Sequence, residues 1–392
     1  MVKFGTSSKD IEKAAKILKK GGLVAFPTET VYGLGADAFN THALARIFEV
    51  KGRPYFDPLI IHIAKIDSLE LIASLDDLNA EQRKRIDLLV NKFWPGPLTL
   101  VLPKRREVPD LATSALPTAA VRFPSHPVAR ELISLSTGAV AAPSANRFGH
   151  LSPTRGEHVM EMFPEGIDCI IDGGPCSVGV ESTVLALVPS PHILRPGGIS
   201  REQLEKVIGP VLGIPAEHGD LKCDQVKQEN ADLKCDQVNP AEHGDLKCDQ
   251  VNPEHADLKC EQVNQEHGDL KCDQVKSAPS PGMLQNHYAP GIPLFLHSQK
   301  EIAALLYHQN EGYLFFSGKS RDAWQTRQCI ETLPDNVFVL SEKAILTEAA
   351  ANLFEFLHVL DRSGAVCIHA ETVPGEGIGE AINDRLQRAA VK

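Results

Sequence analysis

Short apolar runs and helix-periodic stripes follow one another along the first 210 residues. Runs such as LVAF (23–26) and LIIHI (59–63) contain almost no polar residues, which is typical of strands buried on both faces. Between 9 and 20, apolar residues recur three and four positions apart, which predicts an amphipathic helix with Ser8 as its N-cap. The pattern therefore indicates an α/β domain.

The stretch 21–63 contains the clearest part of this pattern. A strand over 23–26 is followed by a polar turn, a helix that begins at Asn40 or Thr41, and a second strand over 59–63. Gly52 is expected to end the helix, because glycine adopts the left-handed conformation of a C-cap at little cost. Strand, helix and strand in about 40 residues predict a β-α-β unit.

The alternation continues to residue 210. Helices are predicted near 80–93 and 127–136, a short helix capped by Ser200 and Gln203 ends near Ile208, and strands are predicted within 94–103, 119–123, 138–143, 166–174, 182–188 and 192–198. We therefore assign one α/β domain to 1–210.

A second, smaller α/β domain is predicted over 292–392. Strands are expected at 292–297, 312–318, 336–341 and 365–370, with helices at 299–308 and 347–360 and a basic amphipathic helix at the end of the chain. A Pro-rich linker, 277–291, precedes this domain. The run GYLFFSGKS within it is not a P-loop, because five residues rather than four separate its glycines and form an apolar strand.

Residues 211–276 have a different composition. Five acidic units with the core D-L-K-C-[DE]-Q-V repeat every 12 or 13 residues over 216–275. Each unit offers only Leu, Cys and Val for burial, too little to offset chain entropy of about 1–2 kcal/mol per residue. The composition therefore predicts a disordered insert. Metal binding is the alternative, since a His precedes the Cys by five residues in four units.

Charge and cysteine content narrow the function classes. The net charge is −11, but 216–275 holds 15 acidic residues against 6 Lys, so the rest of the chain carries only −2. This near-neutral balance does not favour a stable nucleic-acid complex. No apolar run approaches the roughly 20 residues that span a bilayer, and nine cysteines without paired spacing are typical of the reducing cytoplasm.

Cations and hydroxyls cluster where predicted strands begin or end. Arg122 and Arg195 each close an apolar strand, and Lys51 and Arg53 follow a helix. Small polar residues occupy comparable positions: Thr28, Thr30, Ser144, Asn146, Ser182 and Thr183. These groups are suited to an anionic ligand. No G-x-S-x-G elbow or paired-carboxylate signature is present, so electrostatic stabilisation is favoured over covalent catalysis.

Taken in order, nine segments resemble the threonylcarbamoyl-AMP synthase family in its long, two-domain form. They are VAFPTETVYGLG, KGRP…PLIIHI, WPGPLTLVL, AVRFPSHP, AAPSAN, SPT, IIDGG…GVESTV, LRPG and SPGM…HYAP. The resemblance covers 10–210 and most of 277–392, but not the repeats. It implies a YrdC-like twisted mixed sheet in the catalytic domain and a smaller Rossmann-like α/β C-terminal domain.

The resemblance also implies a reaction and a set of site residues. L-Threonine, bicarbonate and ATP, with Mg²⁺, are expected to give threonylcarbamoyl-adenylate and pyrophosphate, for the machinery that modifies adenosine at tRNA position 37. Threonine is expected to contact Thr30, His62, Arg122, Ala142 and Ser182. ATP is expected to contact Lys51, Arg53, Asp57, Thr118, Ser144, Asn146, Ser152, Arg195, His287 and Tyr288, with Lys51 and Arg53 acting electrostatically.

No covalent nucleophile and no metal-ligating side chain is expected in this site. His287 and Tyr288 resemble a linker segment that folds over the pocket as a lid, and Asp57 stands where the family often has Asn. Two other function classes are compatible with a domain of this kind. One is an RNA-binding or RNA-assembly protein that uses the domain without synthase activity. The other is carbamoyl transfer within a larger maturation enzyme.

Overall fold

Two β-sheets organise the computed structural model, which describes residues 1–76, 78–213 and 288–390. The strands of the first sheet are β1 (Val2–Phe4), β2 (Val24–Phe26), β3 (Gly33–Asp37), β4 (Ile60–Ile63), β5 (Leu98–Pro103), β6 (Thr118–Arg122), β7 (Ala139–Ala141), β8 (Cys169–Ile171), β9 (Thr183–Ala186) and β10 (His192–Arg195). Those of the second are β11 (Leu294–His297), β12 (Gly312–Ser317), β13 (Val337–Ser341) and β14 (Ile368–Glu371). Residues 214–276 of the insert predicted over 211–276, and most of the linker, lie outside the described residues, so the domain boundaries stay predictions.

Eleven α-helices pack on these sheets within the described residues. They are α1 (Ser8–Lys19), α2 (Thr41–Lys51), α3 (Ala80–Phe93), α4 (Asp110–Thr113), α5 (Pro127–Leu135), α6 (Gly156–Met162), α7 (Arg201–Ile208), α8 (Gln299–Ile302), α9 (Gly318–Gln328), α10 (Leu346–Arg362) and α11 (Gly379–Ala390), and a 3-10 helix spans Ile66–Leu71. None of the described helices is both long and apolar enough to cross a membrane.

The first sheet is mixed, with ten strands in the order β1-β8-β2-β3-β7-β4-β6-β5-β9-β10. Parallel pairs such as β4 with β6 alternate with antiparallel pairs such as β5 with β6. This is the mixed-sheet α/β fold that the sequence predicts. One face carries α1 and α5, and the other carries the larger core around α2 and α3.

The predicted β-α-β unit over 21–63 is wrong. Between the polar turn and α2 the chain forms β3, a strand that was not predicted; β3 pairs antiparallel with β2, and β7 separates β3 from β4. Small residues conceal this strand in the sequence. A Cβ at Gly35 would stand 2.7 Å from the ring of Phe26 and 2.8 Å from Val140, so close packing requires the glycine.

Helix ends largely follow local capping chemistry. Asn40 caps α2 through its side chain, Gly52 ends it in the left-handed conformation, and Ser200 with Gln203 forms the predicted capping box of α7. At α1 the N-cap is Ser7 rather than Ser8, with the Ser7 side chain accepting from the Asp10 backbone amide. That difference moves the helix start by one residue.

The second sheet is parallel throughout, in the order β11-β14-β12-β13. The helix predicted over 299–308 ends at Ile302. Farther along the chain the Tyr313 hydroxyl accepts from the His308 amide and donates to the Leu306 carbonyl, and residues 306–308 are not helical. The region keeps the smaller Rossmann-like α/β architecture that the sequence predicts.

The two sheet regions belong to one compact unit and share an apolar core. Val31, Leu151 and Val180 of the N-terminal domain pack in the same cluster as Leu353 and other residues of α10. A polar contact crosses at the same place, since His358 Nε2 lies 3.1 Å from the Ser152 carbonyl oxygen. The C-terminal domain therefore lies against the loops of the N-terminal sheet.

Candidate active site

A cleft opens beside β4, β6 and β9 of the N-terminal sheet. Concave sites in which a few polar groups converge are typical of small-molecule binding. The structure brings nine of the sequence-predicted residues to its lining: Thr30, Arg53, His62, Arg122, Ala142, Ser144, Ser182, Arg195 and Tyr288. All five residues predicted to contact threonine are in this group.

Arg122 is held from two sides at the end of β6. Its Nη2 donates to Glu29 Oε1 at 2.6 Å, Nη1 donates to Thr30 Oγ1 at 2.9 Å, and Nε donates to the Gly96 carbonyl at 3.2 Å. Burial works against ionised Glu29, but the adjacent guanidinium outweighs it and lowers the pKa of this carboxyl. The buried pair fixes the orientation of Arg122 beside the cleft.

His62 lies inside β4, next to Arg122 in the register of the sheet. Its Nδ1 is 3.2 Å from the Ile60 carbonyl oxygen. Burial, followed by the charge of Arg122, lowers the pKa of His62 to about 3. The imidazole is therefore neutral at pH 7 and presents a polar but uncharged group to the cleft.

Ser182, which directly precedes β9, lies beside Arg195, the last residue of β10. Arg195 Nη2 donates to the Ser182 carbonyl at 3.0 Å and to the Ser182 hydroxyl at 3.2 Å. The Ser182 hydroxyl is also 2.8 Å from that of Thr99, so a hydroxyl pair lies under the guanidinium. Arg195 is only 4% exposed, which excludes the solvated surface position usual for Arg.

Arg53 reaches the cleft through the turn that follows α2. It donates to the backbone carbonyls of Asp57 and Pro58 at 3.0 and 2.8 Å, and Asp57 Oδ2 lies 2.8 Å from its Nη2. Asp57 is fully buried and is not among the residues that line the cleft. The structure therefore places Asp57 behind Arg53, as its support.

Lys51 also lies behind the lining. Its ammonium donates to the Ser144 carbonyl at 2.6 Å and to the Asn146 carbonyl, and burial lowers its pKa well below the usual value. Asn146 in turn donates to the Arg147 and His150 carbonyls at 2.8 Å each. These bonds shape the loop after β7 and place Ser144 at the cleft wall.

A buried polar chain joins the cleft to the C-terminal domain, and sequence reasoning missed its two central members. Glu181 lines the cleft, accepts from the Ser152 hydroxyl, and pairs with Arg385 of α11 at 2.8 Å. Arg385 also lies 5.0 Å from the centre of the Tyr288 ring. Glu181 directly precedes Ser182 in GVESTV, and this position could have identified it as a site residue. Nothing in the local sequence distinguishes Arg385 from the other cations of its helix.

Thr118, also predicted to contact ATP, does not line the cleft. Thr118 begins β6 and Arg122 ends it, which separates them by about 13 Å at 3.3 Å per residue, and Thr118 pairs with Pro103. His287 lies outside the described residues. Their predicted contacts with ATP stay predictions.

Two family models and several known proteins are similar to this chain. A family model described as "Telomere recombination" (Sua5, YciO and YrdC) matches residues 16–197, and one described as "Threonylcarbamoyl-AMP synthase, C-terminal domain" matches 199–391. Threonylcarbamoyl-AMP synthase of Pyrococcus abyssi is 38% identical over 390 residues, which cover 97% of this chain and 94% of that protein. The chain belongs to the threonylcarbamoyl-AMP synthase family.

Other members of the family show the same extent of similarity. The Bacillus subtilis threonylcarbamoyl-AMP synthase is 36% identical over 392 residues, covering 99% of this chain and 94% of that protein. The crystal structure of P. abyssi Sua5 complexed with L-threonine superimposes with a TM-score of 0.75 at 36% identity, covering 99% of this chain and 97% of that chain. The similarity therefore extends over both domains.

Proposed function

We propose that the protein catalyses the formation of L-threonylcarbamoyladenylate and pyrophosphate from L-threonine, bicarbonate and ATP. The observation that carries this proposal is the cleft in which all five predicted threonine contacts lie beside Arg53 and Arg195. A family member of similar fold has been solved with L-threonine bound. The family names favour this activity over an RNA-binding function.

On the threonine side, Arg122 binds the substrate carboxylate. The Glu29 pair and the Thr30 hydroxyl bond hold its guanidinium in place, so little side-chain entropy is lost on binding. His62 is neutral, and the nearby Arg122 disfavours a second cation in the same buried space. This environment promotes loss of a proton from the threonine ammonium, which must become an amine before it reacts.

On the nucleotide side, Arg53, Ser144 and Arg195 contact the triphosphate, and Tyr288 packs beside them. Lys51, Asp57, Asn146 and Ser152 act through other groups: they hold the Ser144 loop, Arg53 and Glu181 in position. Two fixed guanidinium groups stabilise the charge that develops on the α-phosphoryl group and on the departing pyrophosphate.

The chemistry requires no protein nucleophile. The threonine amine and bicarbonate form a carbamate with loss of water. A carbamate oxygen then bonds to the α-phosphorus of ATP, the bond to the bridging oxygen breaks, and pyrophosphate leaves with that electron pair. The cleft aligns these anions with the α-phosphorus and limits the access of water to the carbamate.

Magnesium fits this site as an ion carried on the triphosphate. Glu181 is the carboxylate at the lining, and it is already engaged by Ser152 and Arg385. No cluster of three potential metal ligands lies at the cleft within the described residues. Bound Mg²⁺ would neutralise phosphate charge.

We further propose that the product serves a tRNA threonylcarbamoyl-transfer system in the cytoplasm. The four cysteines of the described residues, Cys169, Cys176, Cys329 and Cys367, are free thiols, which supports a reducing compartment. The short-lived adenylate requires an acceptor that can capture it soon after release.

The test is incubation of the purified chain with ATP, L-threonine and bicarbonate, followed by measurement of pyrophosphate and of the adenylate by mass spectrometry. We expect pyrophosphate release to require both threonine and bicarbonate. Arg130→Ala, an exposed Arg on α5, provides a control with wild-type activity. Pyrophosphate release that persists without threonine would overturn the proposal.

A further inference from the structure

Three side chains with metal-ligating atoms meet at one end of the C-terminal sheet, away from the cleft. Glu311 directly precedes β12, Cys367 directly precedes β14, and His369 lies within β14. Since Gly312 pairs with Ile368, the parallel register places Glu311 beside Cys367. Cys367 and His369 are two apart and therefore project from the same face of the strand. Their ligand atoms all lie within 4.8 Å of one another.

The spacing of these atoms matches a tetrahedral zinc site. Zn–S bonds of about 2.3 Å and Zn–N or Zn–O bonds of about 2.0–2.1 Å give ligand-to-ligand edges of about 3.3–3.6 Å. Cys367 Sγ lies 3.6 Å from His369 Nε2, and His369 Nε2 lies 3.2 Å from Glu311 Oε2. An ion can therefore be accommodated with only small side-chain movements.

A fourth residue orients the imidazole for this role. His297 Nε2 lies 2.9 Å from His369 Nδ1, the nitrogen that faces away from Cys367 and Glu311. A proton on His369 Nδ1, donated to His297, leaves the Nε2 lone pair directed at the other two ligands. The Tyr313 hydroxyl oxygen also lies beside the carboxylate, 3.1 Å from Glu311 Oε2.

The burial of the cluster is suited to binding a cation. Cys367 is 8% exposed, while Glu311 and His369 are partly accessible, so an ion can enter. A divalent cation bound here would neutralise both the thiolate and the carboxylate.

We propose that Glu311, Cys367 and His369 bind one Zn²⁺ ion, with His297 as the positioning residue for His369 and a fourth coordination position left for water. Thiolate, imidazole and carboxylate together are ligands that zinc accepts readily. The site lies in the C-terminal domain and is independent of the function proposed for the cleft.

The experiment uses the full-length chain, stripped of metal and titrated with Co²⁺ and then Zn²⁺. We expect one equivalent of Co²⁺ to give a near-ultraviolet thiolate-to-cobalt charge-transfer band, and one equivalent of Zn²⁺ to remove it. Cys367→Ser should abolish the band, whereas Cys329→Ser, which changes an exposed thiol, should leave it unchanged. His297→Ala should weaken Zn²⁺ affinity by about 10- to 100-fold.

The repeats must be separated from this site, because they contain five of the nine cysteines. A full-length variant with Cys223, Cys235, Cys248, Cys260 and Cys272 changed to Ser should keep the one-equivalent signal. Zn²⁺ should also raise the melting temperature of the wild type but not of Cys367→Ser. Loss of the band in the five-serine variant, or an unchanged band in folded Cys367→Ser, would overturn the proposal.

Discussion

Two buried arginine–carboxylate pairs flank the cleft and differ in the origin of their partners. Arg122 and Glu29 are 2.6 Å apart and both belong to the N-terminal domain. Arg385 and Glu181 are 2.8 Å apart, but Arg385 belongs to α11 of the C-terminal domain. Both pairs are almost completely buried, so the stability of each charged side chain depends on its partner.

The difference separates the cleft into two halves. The half proposed to bind threonine is complete within the N-terminal domain, because Thr30, His62 and Arg122 are all held there by local strands and loops. The half proposed to bind the nucleotide is completed by the C-terminal domain, because Arg385 holds Glu181 and packs over the Tyr288 ring. We therefore expect changes in the two pairs to affect different substrates.

The largest effect is expected for Arg122→Ala. The variant lacks the guanidinium that is proposed to pair with the threonine carboxylate, and truncating one member of a buried charge pair costs about 2–5 kcal/mol. The KM for threonine should therefore rise at least about 30-fold, while the KM for ATP changes little. The measurement is threonine-dependent pyrophosphate formation at saturating ATP, with Arg130→Ala as the control. A wild-type KM for threonine would refute the carboxylate role of Arg122.

Arg385→Ala should produce the converse result. Glu181 would be left buried without its main cation, and Tyr288 would lose its packing partner, so the KM for ATP should rise by about tenfold or more. Threonine affinity, measured by calorimetry, should stay near wild type. Arg327→Ala, an exposed Arg of α9, is the matched control. Equal losses of affinity for ATP and for threonine would contradict the division of the cleft into two halves.

Acidification tests the contact between the domains. The rings of His158 and His358 stack at 3.9 Å, and burial lowers their pKa values to about 4 and about 3. Both pKa values lie below the value of about 6.5 in the unfolded chain. As the pH falls from 6.5 toward 4, the unfolded chain binds protons that the folded protein does not, so the free energy of unfolding decreases. At pH 5 the lowered pKa of each His should reduce the free energy of unfolding by about 2 kcal/mol.

Urea unfolding at pH 7 and pH 5 measures this effect. A variant carrying His158→Asn and His358→Asn should lose much less stability between the two pH values than the wild type. His62, with its pKa near 3, stays in both proteins and contributes equally. An unchanged pH dependence in the double variant would contradict the assignment.

The smallest effect is expected from deleting 216–275. The sequence predicts that the flanking domains need only a connection, and shortening it changes loop-closure entropy by about 1 kcal/mol. Melting temperature and threonine-dependent activity should therefore stay close to those of the intact chain. A clear fall in either would show that the repeats support the nucleotide half.

Local chemistry made several elements predictable. The stripe of Ile11, Ala14, Ala15 and Leu18 is the buried face of α1, and Asn40 and Gly52 delimit α2 as expected. The strand β3 was missed because its small residues show no apolar alternation, and its pairing depends on β2 and β7. Helix α9 was missed for a related reason: Trp324 is its single large buried apolar residue.

The candidate site was predictable in its residue types but not in its connections. Arg122 and Arg195 close apolar strands, and that position in the sequence is enough to mark them as binding groups. Lys51 is equally suitable by residue type, yet it bonds to the backbone carbonyls of the loop after β7 and lies behind the lining. Hydrogen bonds between residues far apart in sequence determine which cations face the cleft.

By itself, the sequence determined most helices and strands and the chemical groups available to the cleft, because propensity, capping and periodicity act over a few neighbouring residues. Only the tertiary structure decided that Glu29 orients Arg122 and that Arg385, 204 positions from Glu181, completes the other half. A buried charge requires a partner, and which partner lies within reach depends on how the whole chain packs.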